Sequence, residues 1–175
     1  MKTHADLKLK AISPDGIPHA LEKAERYRLL NDPAQAESIC LDVLAVDRDN
    51  QDALRTLILA LTDQFTAHGA ANAAREARDH ILHLADEYER AYYTGIVHER
   101  ETRAYLERSI TGPGVVRSAA YDGFRHAMEW YEKAEALRPP GNVDPMLRYN
   151  SCVRAIERER LEPALETADR ELPLE

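Results

Sequence analysis

The sequence predicts an all-α protein, a stack of antiparallel helix hairpins with about seven helices. Three observations lead there. Small and apolar residues recur at helical spacing, as in Ala36, Cys40, Val43 and Val46, spaced four, three and three. No stretch of the sequence sustains the apolar–polar alternation of a strand. The paired-helix pattern of residues 17–50 returns twice downstream.

Composition bounds the possibilities. The 175 residues suffice for one well-buried domain. Charged residues make up 31% and the apolar share is ordinary for a globular chain, so the composition is not that of a disordered one. A formal charge of −8 argues against nucleic acid or an anionic membrane as the partner of the whole surface. Residues 1–12 lack the apolar core of a signal peptide, and the longest apolar run, residues 57–61, is far too short to span a membrane. The two cysteines, Cys40 and Cys152, sit in helical patterns outside any CxxC. They read as free thiols in a reducing cytoplasm, which is the expected location.

Residues 1–16 read as a flexible or extended arm, closed by the turn signal Ser13-Pro14-Asp15-Gly16. Pro18 suits the first turn of a helix over residues 18–30, where its missing N–H costs nothing. Asn31-Asp32-Pro33 is a tight break. Asp32 is placed to cap a second helix and Pro33 to open it, running to about Val46. Asp52 opens a third helix with Leu54, Leu57, Ile58 and Leu61 on one face, ended at His68-Gly69. A fourth is expected over residues 71–86, with Ala74, Ala77, Ile81, Leu82 and Leu84 as its apolar set. A fifth follows over residues 88–109. Thr111-Gly112-Pro113-Gly114 breaks it, and a sixth runs over residues 116–138, with Asp122-Gly123 as a kink or true start. Asp144-Pro145 repeats the earlier start signal for a seventh over residues 146–158. The expected organisation is an arm at 1–16, a repeat domain at 17–158, and a charged tail or partial capping helix at 159–175.

The recurrence can be aligned. Ala36, Cys40, Val43 and Val46 match Ala74, Arg78, Ile81 and Leu84, and again Ala127, Tyr131, Ala134 and Leu137. The preceding helices match through Ala20, Lys23, Ala24 and Tyr27; then Leu54, Leu57, Ile58 and Leu61; then Tyr92, Gly95, Ile96 and Glu99. On these residues the chain resembles the tetratricopeptide repeat family, whose period is about 34 residues. Arg78, Glu99 and the long third unit depart from the family pattern. The resemblance implies a tetratricopeptide-like α-solenoid, a right-handed superhelical stack in which Ala24, Ala36, Ala74 and Ala127 let helices approach closely, and in which units must stack to bury both faces.

The resemblance also implies a function: an adaptor or scaffold without catalysis or cofactor, binding a protein or peptide in a concave groove lined by the first helix of each pair. Transferred to this chain, that groove holds Arg28, Arg55, Leu59, Arg90, Tyr93, Val97 and Arg100. Four arginines in an acidic chain suggest an acidic partner, or one ending in a carboxylate. The competing expectation is that they pair with neighbouring Glu and Asp. Lys and Asn of the family's chaperone-binding clamp are replaced by Leu21 and Glu25, so chaperone-tail binding is not expected. An alternative class is a small metal-binding protein or enzyme using His80, His83 and His98, with carboxylates nearby. A third is self-association through the open end of the stack. The aromatic residues crowded between 88 and 131 are expected to fill the core of the enlarged third unit.

Overall fold

The computed structural model describes residues 7–66, 70–108 and 113–164. Among them the chain forms a short 3-10 turn at Pro14–Gly16 and seven helices, with no strand: α1 Ile17–Leu29, α2 Pro33–Val46, α3 Gln51–Asp63, α4 Ala70–Ile81, α5 Glu87–Arg108, α6 Pro113–Leu137 and α7 Asp144–Glu159.

The first break works as its residues suggest. Asn31 adopts a left-handed conformation with φ 60. The Asn31 N–H donates to Arg28 O at 3.0 Å and the Asp32 N–H to Tyr27 O at 2.9 Å, which satisfies the last carbonyls of α1. Asp32 then caps α2 through its side chain, accepting from Gln35 N at 3.4 Å. Asn50, rather than Asp52, caps α3, accepting from Ala53 N at 3.0 Å.

Two helices stop earlier than expected. The third was expected to reach His68-Gly69, but α3 ends at Asp63. Gln64 N and Phe65 N donate to Leu61 O and Thr62 O, a tighter turn that carries Phe65 into the core. Residues 67–69, with the expected glycine cap, lie outside the described residues. The fourth was expected to reach residue 86, but α4 ends at Ile81. Three-residue turns at His83 and Leu84 bury Leu84 and leave Leu82, expected in the apolar set, 75% exposed.

The Asp122-Gly123 break is not realised either, because α6 runs through it. Gly123 is there for proximity: an added Cβ would collide with the Thr102 side chain of α5. Gly95 of α5 does the same in reverse, since its Cβ would lie 2.6 Å from the Tyr131 ring of α6. Asp144 does not cap α7 with its side chain; it and Pro145 form the first helical turn. At the far end Arg160 is left-handed with φ 50. Leu161 N donates to Ile156 O at 2.9 Å, and Leu161 folds back into the core. The charged segment expected from residue 159 therefore begins with a packed leucine. Residues 165–175 lie outside the described residues. The expected arm is described from Leu7: residues 7–13 have no regular structure, with Leu7 and Leu9 exposed, and Pro14–Gly16 form the 3-10 turn.

Each helix packs on the next, and α1 also meets α3, as α3 meets α5. This packing is compatible with a helical repeat. Ala24, Ala36, Ala74 and Ala127 are all buried, as their close-approach role requires. The core has two main bodies. One joins α1 to α5 through residues such as Cys40, Leu57, Ile58 and Val97. The other joins α5 to α7 through Ile96, Phe124, Tyr131 and Cys152. Helix α5 contributes to both.

Enlarging a buried small residue should overpack these contacts. Ala36→Leu and Ala127→Leu should each lower stability by about 1–3 kcal/mol in urea melts. Arg160→Gly should instead raise it by about 1 kcal/mol, because glycine adopts the left-handed cap without strain.

Candidate functional site

Helices α1, α3 and α5 present a shared cleft of about 250 Å³, lined by Glu25, Arg28, Leu29, Asp52, Arg55, Thr56, Leu59 and Tyr93. Four residues expected in a groove, Arg28, Arg55, Leu59 and Tyr93, are thus brought together. Tyr93 packs against both core bodies, and burial, then the Glu89 carboxylate, push its phenol up to about 12.

The guanidiniums here already have partners. Arg28 Nε lies 2.8 Å from Asp63 Oδ2. Arg100 pairs with the other oxygen of Asp63 and donates to Thr62 Oγ1 at 2.6 Å. Arg55 Nη1 lies 2.8 Å from Glu89 Oε1, and its Nη2 pairs with Asp52. The alternation Arg28–Asp63–Arg100 staples α1, α3 and α5 side by side. An uncompensated positive stripe is therefore absent among these three arginines.

Three nominated residues, Arg100, Val97 and Arg90, are not part of the cleft lining. Val97 is 0% exposed inside the first core body and offers no surface to a partner. Its register on α5 points it at α1–α4 rather than outward. Arg90 Nη1 donates to Leu84 O at 2.6 Å and Ala85 O at 3.0 Å, closing the turn before α5.

Glu99 departs from the apolar pattern of its helix face. In the structure it is 1% exposed and central. Tyr131 Oη donates to its Oε2 at 2.7 Å. Arg103 donates to its Oε1 from Nε at 3.0 Å and from Nη2 at 2.9 Å, and Arg103 also reaches Ser151 Oγ at 3.0 Å. Arg148 Nη1 lies 3.7 Å from the same Oε1. One carboxylate thus ties α5, α6 and α7. Burial, then the charge of Glu99, push the Tyr131 phenol far above its usual range. A glutamate at an apolar stripe position with an arginine four residues on was the available signal in the sequence. Arg78, the other departure, pairs with Glu101, and the neighbouring Ala77 takes the buried place.

His80, His83 and His98 do not form a site together. Among the described residues no group of three or more His, Cys, Asp or Glu side chains is placed to hold a metal ion. His98 instead faces His126 of α6, with ring centroids 6.2 Å apart. Burial pushes both His80 and His98 below their ordinary value, helped by His83 and by Arg78 respectively. Cys40 and Cys152 are free and buried, and burial pushes both thiols up to about 12. Such thiols are poor nucleophiles. The aromatic residues do pack together, with Tyr88 stacked on Tyr92 at 5.8 Å and Tyr92 against Tyr131 at 6.0 Å.

No helix of the described residues is long and apolar enough to cross a membrane. No family model matches the chain, and no curated protein or solved structure matches it either.

Glu99→Ala leaves two guanidiniums and a buried phenol without their shared acceptor, and should cost about 3 kcal/mol of stability. Tyr131→Phe removes one hydrogen bond to a charged group and should cost about 2 kcal/mol. Urea melts of both variants check this.

Stability should also bend at both ends of the pH scale. Cys40, Cys152 and Tyr93 have folded values raised above the unfolded ones of 9.0 and 10.0. Their contribution is complete below about pH 9 and lost as pH rises toward 12, because the unfolded chain releases these protons first. His80 and His98 are depressed below 6.5, so their contribution is present above that pH and lost as pH falls below it. The urea midpoint should therefore plateau near neutrality, and Cys40→Ala should flatten its alkaline limb.

Proposed function

We propose that this chain is a tetratricopeptide-like interaction module, stacked as a right-handed superhelix, that docks a peptide or helix of another protein on its α1–α3–α5 face. One observation carries the reading. The first helices of successive pairs meet one another and together form a cleft with an apolar floor, Leu59 and Tyr93, inside a polar rim. Proteins that stack helix pairs use this arrangement for recognition. The role is that of an adaptor or scaffold, with no catalytic step. Two unpaired, buried thiols fit a reducing compartment such as the cytoplasm.

The charge of the partner follows from the rim. A ligand carboxylate would meet Arg28 and Arg55 only by competing with Asp63, Asp52 and Glu89. These pairs are partly solvent-exposed, and such pairs contribute about 0–1 kcal/mol each, so exchange is energetically open.

Site-specific photo-crosslinking tests the reading. A crosslinker replacing Leu59 in the cleft should capture a partner from native extract, whereas one at Leu41 on α2, 48% exposed, should not. Leu59→Asp should weaken the captured partner at least tenfold, and Asp63→Asn should tighten an acidic one. Capture from Leu41 alone, or normal binding by Leu59→Asp with Arg55→Glu, would overturn the docking face.

A further inference from the structure

A second cleft differs from the first in size, lining and charge. It lies between the end of α4, the start of α5 and the last turns of α6, and measures about 480 Å³. Its walls include Leu82, Trp130 and Leu137. Leu82 is 75% exposed and Leu137 is 44% exposed, so large apolar side chains stand open at its edge. Trp130 is the only tryptophan of the chain.

The cations of this cleft set it apart. Lys133 Nζ lies over the Trp130 ring, 4.0 Å from its centroid. Among the described residues Arg90 is bound only to backbone carbonyls. Among the described residues neither has a carboxylate within ion-pair distance, whereas Arg28, Arg55 and Arg100 all do. Glu87 is the one carboxylate in the lining, so two cations face one anion on a molecule of net charge −8. An apolar cleft with surplus positive charge complements a ligand with the opposite pair of properties.

We propose that this α4–α5–α6 cleft is a second docking site, for a partner-protein segment that carries a leucine-like side chain beside a carboxylate. The apolar side chain enters against Trp130, Leu82 and Leu137, and the carboxylate meets Lys133 and Arg90. The proposal rests on the reading of the chain as an interaction module and is independent of the α1–α3–α5 cleft. It moves the preference for an acidic partner from arginines that are already paired to cations that are not.

Trp130 makes the test direct, because its emission reports this cleft alone. The full chain is titrated with three capped hexapeptides: alternating Glu and Leu, the same with Lys for Glu, and the same with Ser for Leu. The Glu–Leu peptide should shift Trp130 emission saturably, with the other two at least tenfold weaker. Lys133→Glu should reverse the order of the Glu and Lys peptides, and Leu82→Asp should abolish the response. Both side chains are exposed, so the variants keep the fold, as circular dichroism would show. Leu41→Asp, on α2, should respond like the unaltered chain. No saturable shift, equal affinity for all three peptides, or an unchanged response in Leu82→Asp would overturn the proposal. Crosslinking from Leu59 reads the other cleft, so failure here leaves that result standing and the reverse holds too.

Discussion

Glu99 is the constraint around which the second half of the molecule is arranged. A carboxylate removed from water is costly unless its oxygens are paired and hydrogen-bonded. Here the partners come from three helices: Arg103 of α5, Tyr131 of α6 and Arg148 of α7. Arg103 adds Ser151 of α7 and lies over the Phe124 ring at 5.4 Å. Any displacement of α6 or α7 along α5 would strand the charge. The network therefore fixes register in a way that apolar packing, which tolerates sliding, does not.

That register in turn depends on small residues. Gly95 and Gly123 sit on opposite partners of the α5–α6 interface, each lying under a side chain of the other helix. The Tyr131 ring reaches Glu99 only because Gly95 offers no Cβ in its path. In the first half of the chain the corresponding work falls to Ala24 and Ala36, and there the staple is Arg28–Asp63–Arg100 at the surface rather than a buried carboxylate. Helix α5 carries both halves: Val97 faces one core body, Ile96 the other, and Tyr93 touches both.

The same distinction separates the two clefts. On the α1–α3–α5 face, ion pairs hold neighbouring helices, so the charges that could recognise a partner are also structural. At the α4–α5–α6 cleft, structure asks less of the cations: Arg90 closes a turn and Lys133 rests on an indole. Recognition at the first cleft means exchange of one carboxylate for another. At the second it means adding a carboxylate where none is bound.

Much of the fold was legible in the sequence because its signals are local. Helical spacing, the Asp32-Pro33 start and the Asn31 break depend on residues within one turn of each other, and the structure realises them. Arg28, Arg55, Leu59 and Tyr93, expected together from the resemblance to a helical repeat, do line one cleft. What the sequence left open depended on distant residues. Glu99 is acceptable in the core only because Tyr131, 32 positions away, and Arg148 arrive beside it. Val97 was expected to face a groove, but packing of α5 against the first core body encloses it. Leu82 and Leu161 exchanged expectations because the chain after α4 turns to bury Leu84, while the cap of α7 folds Leu161 inward. Periodicity determines which residues share a helix face; only the packing of one helix on another decides which face meets the core, since that choice is made by side chains far apart in the chain.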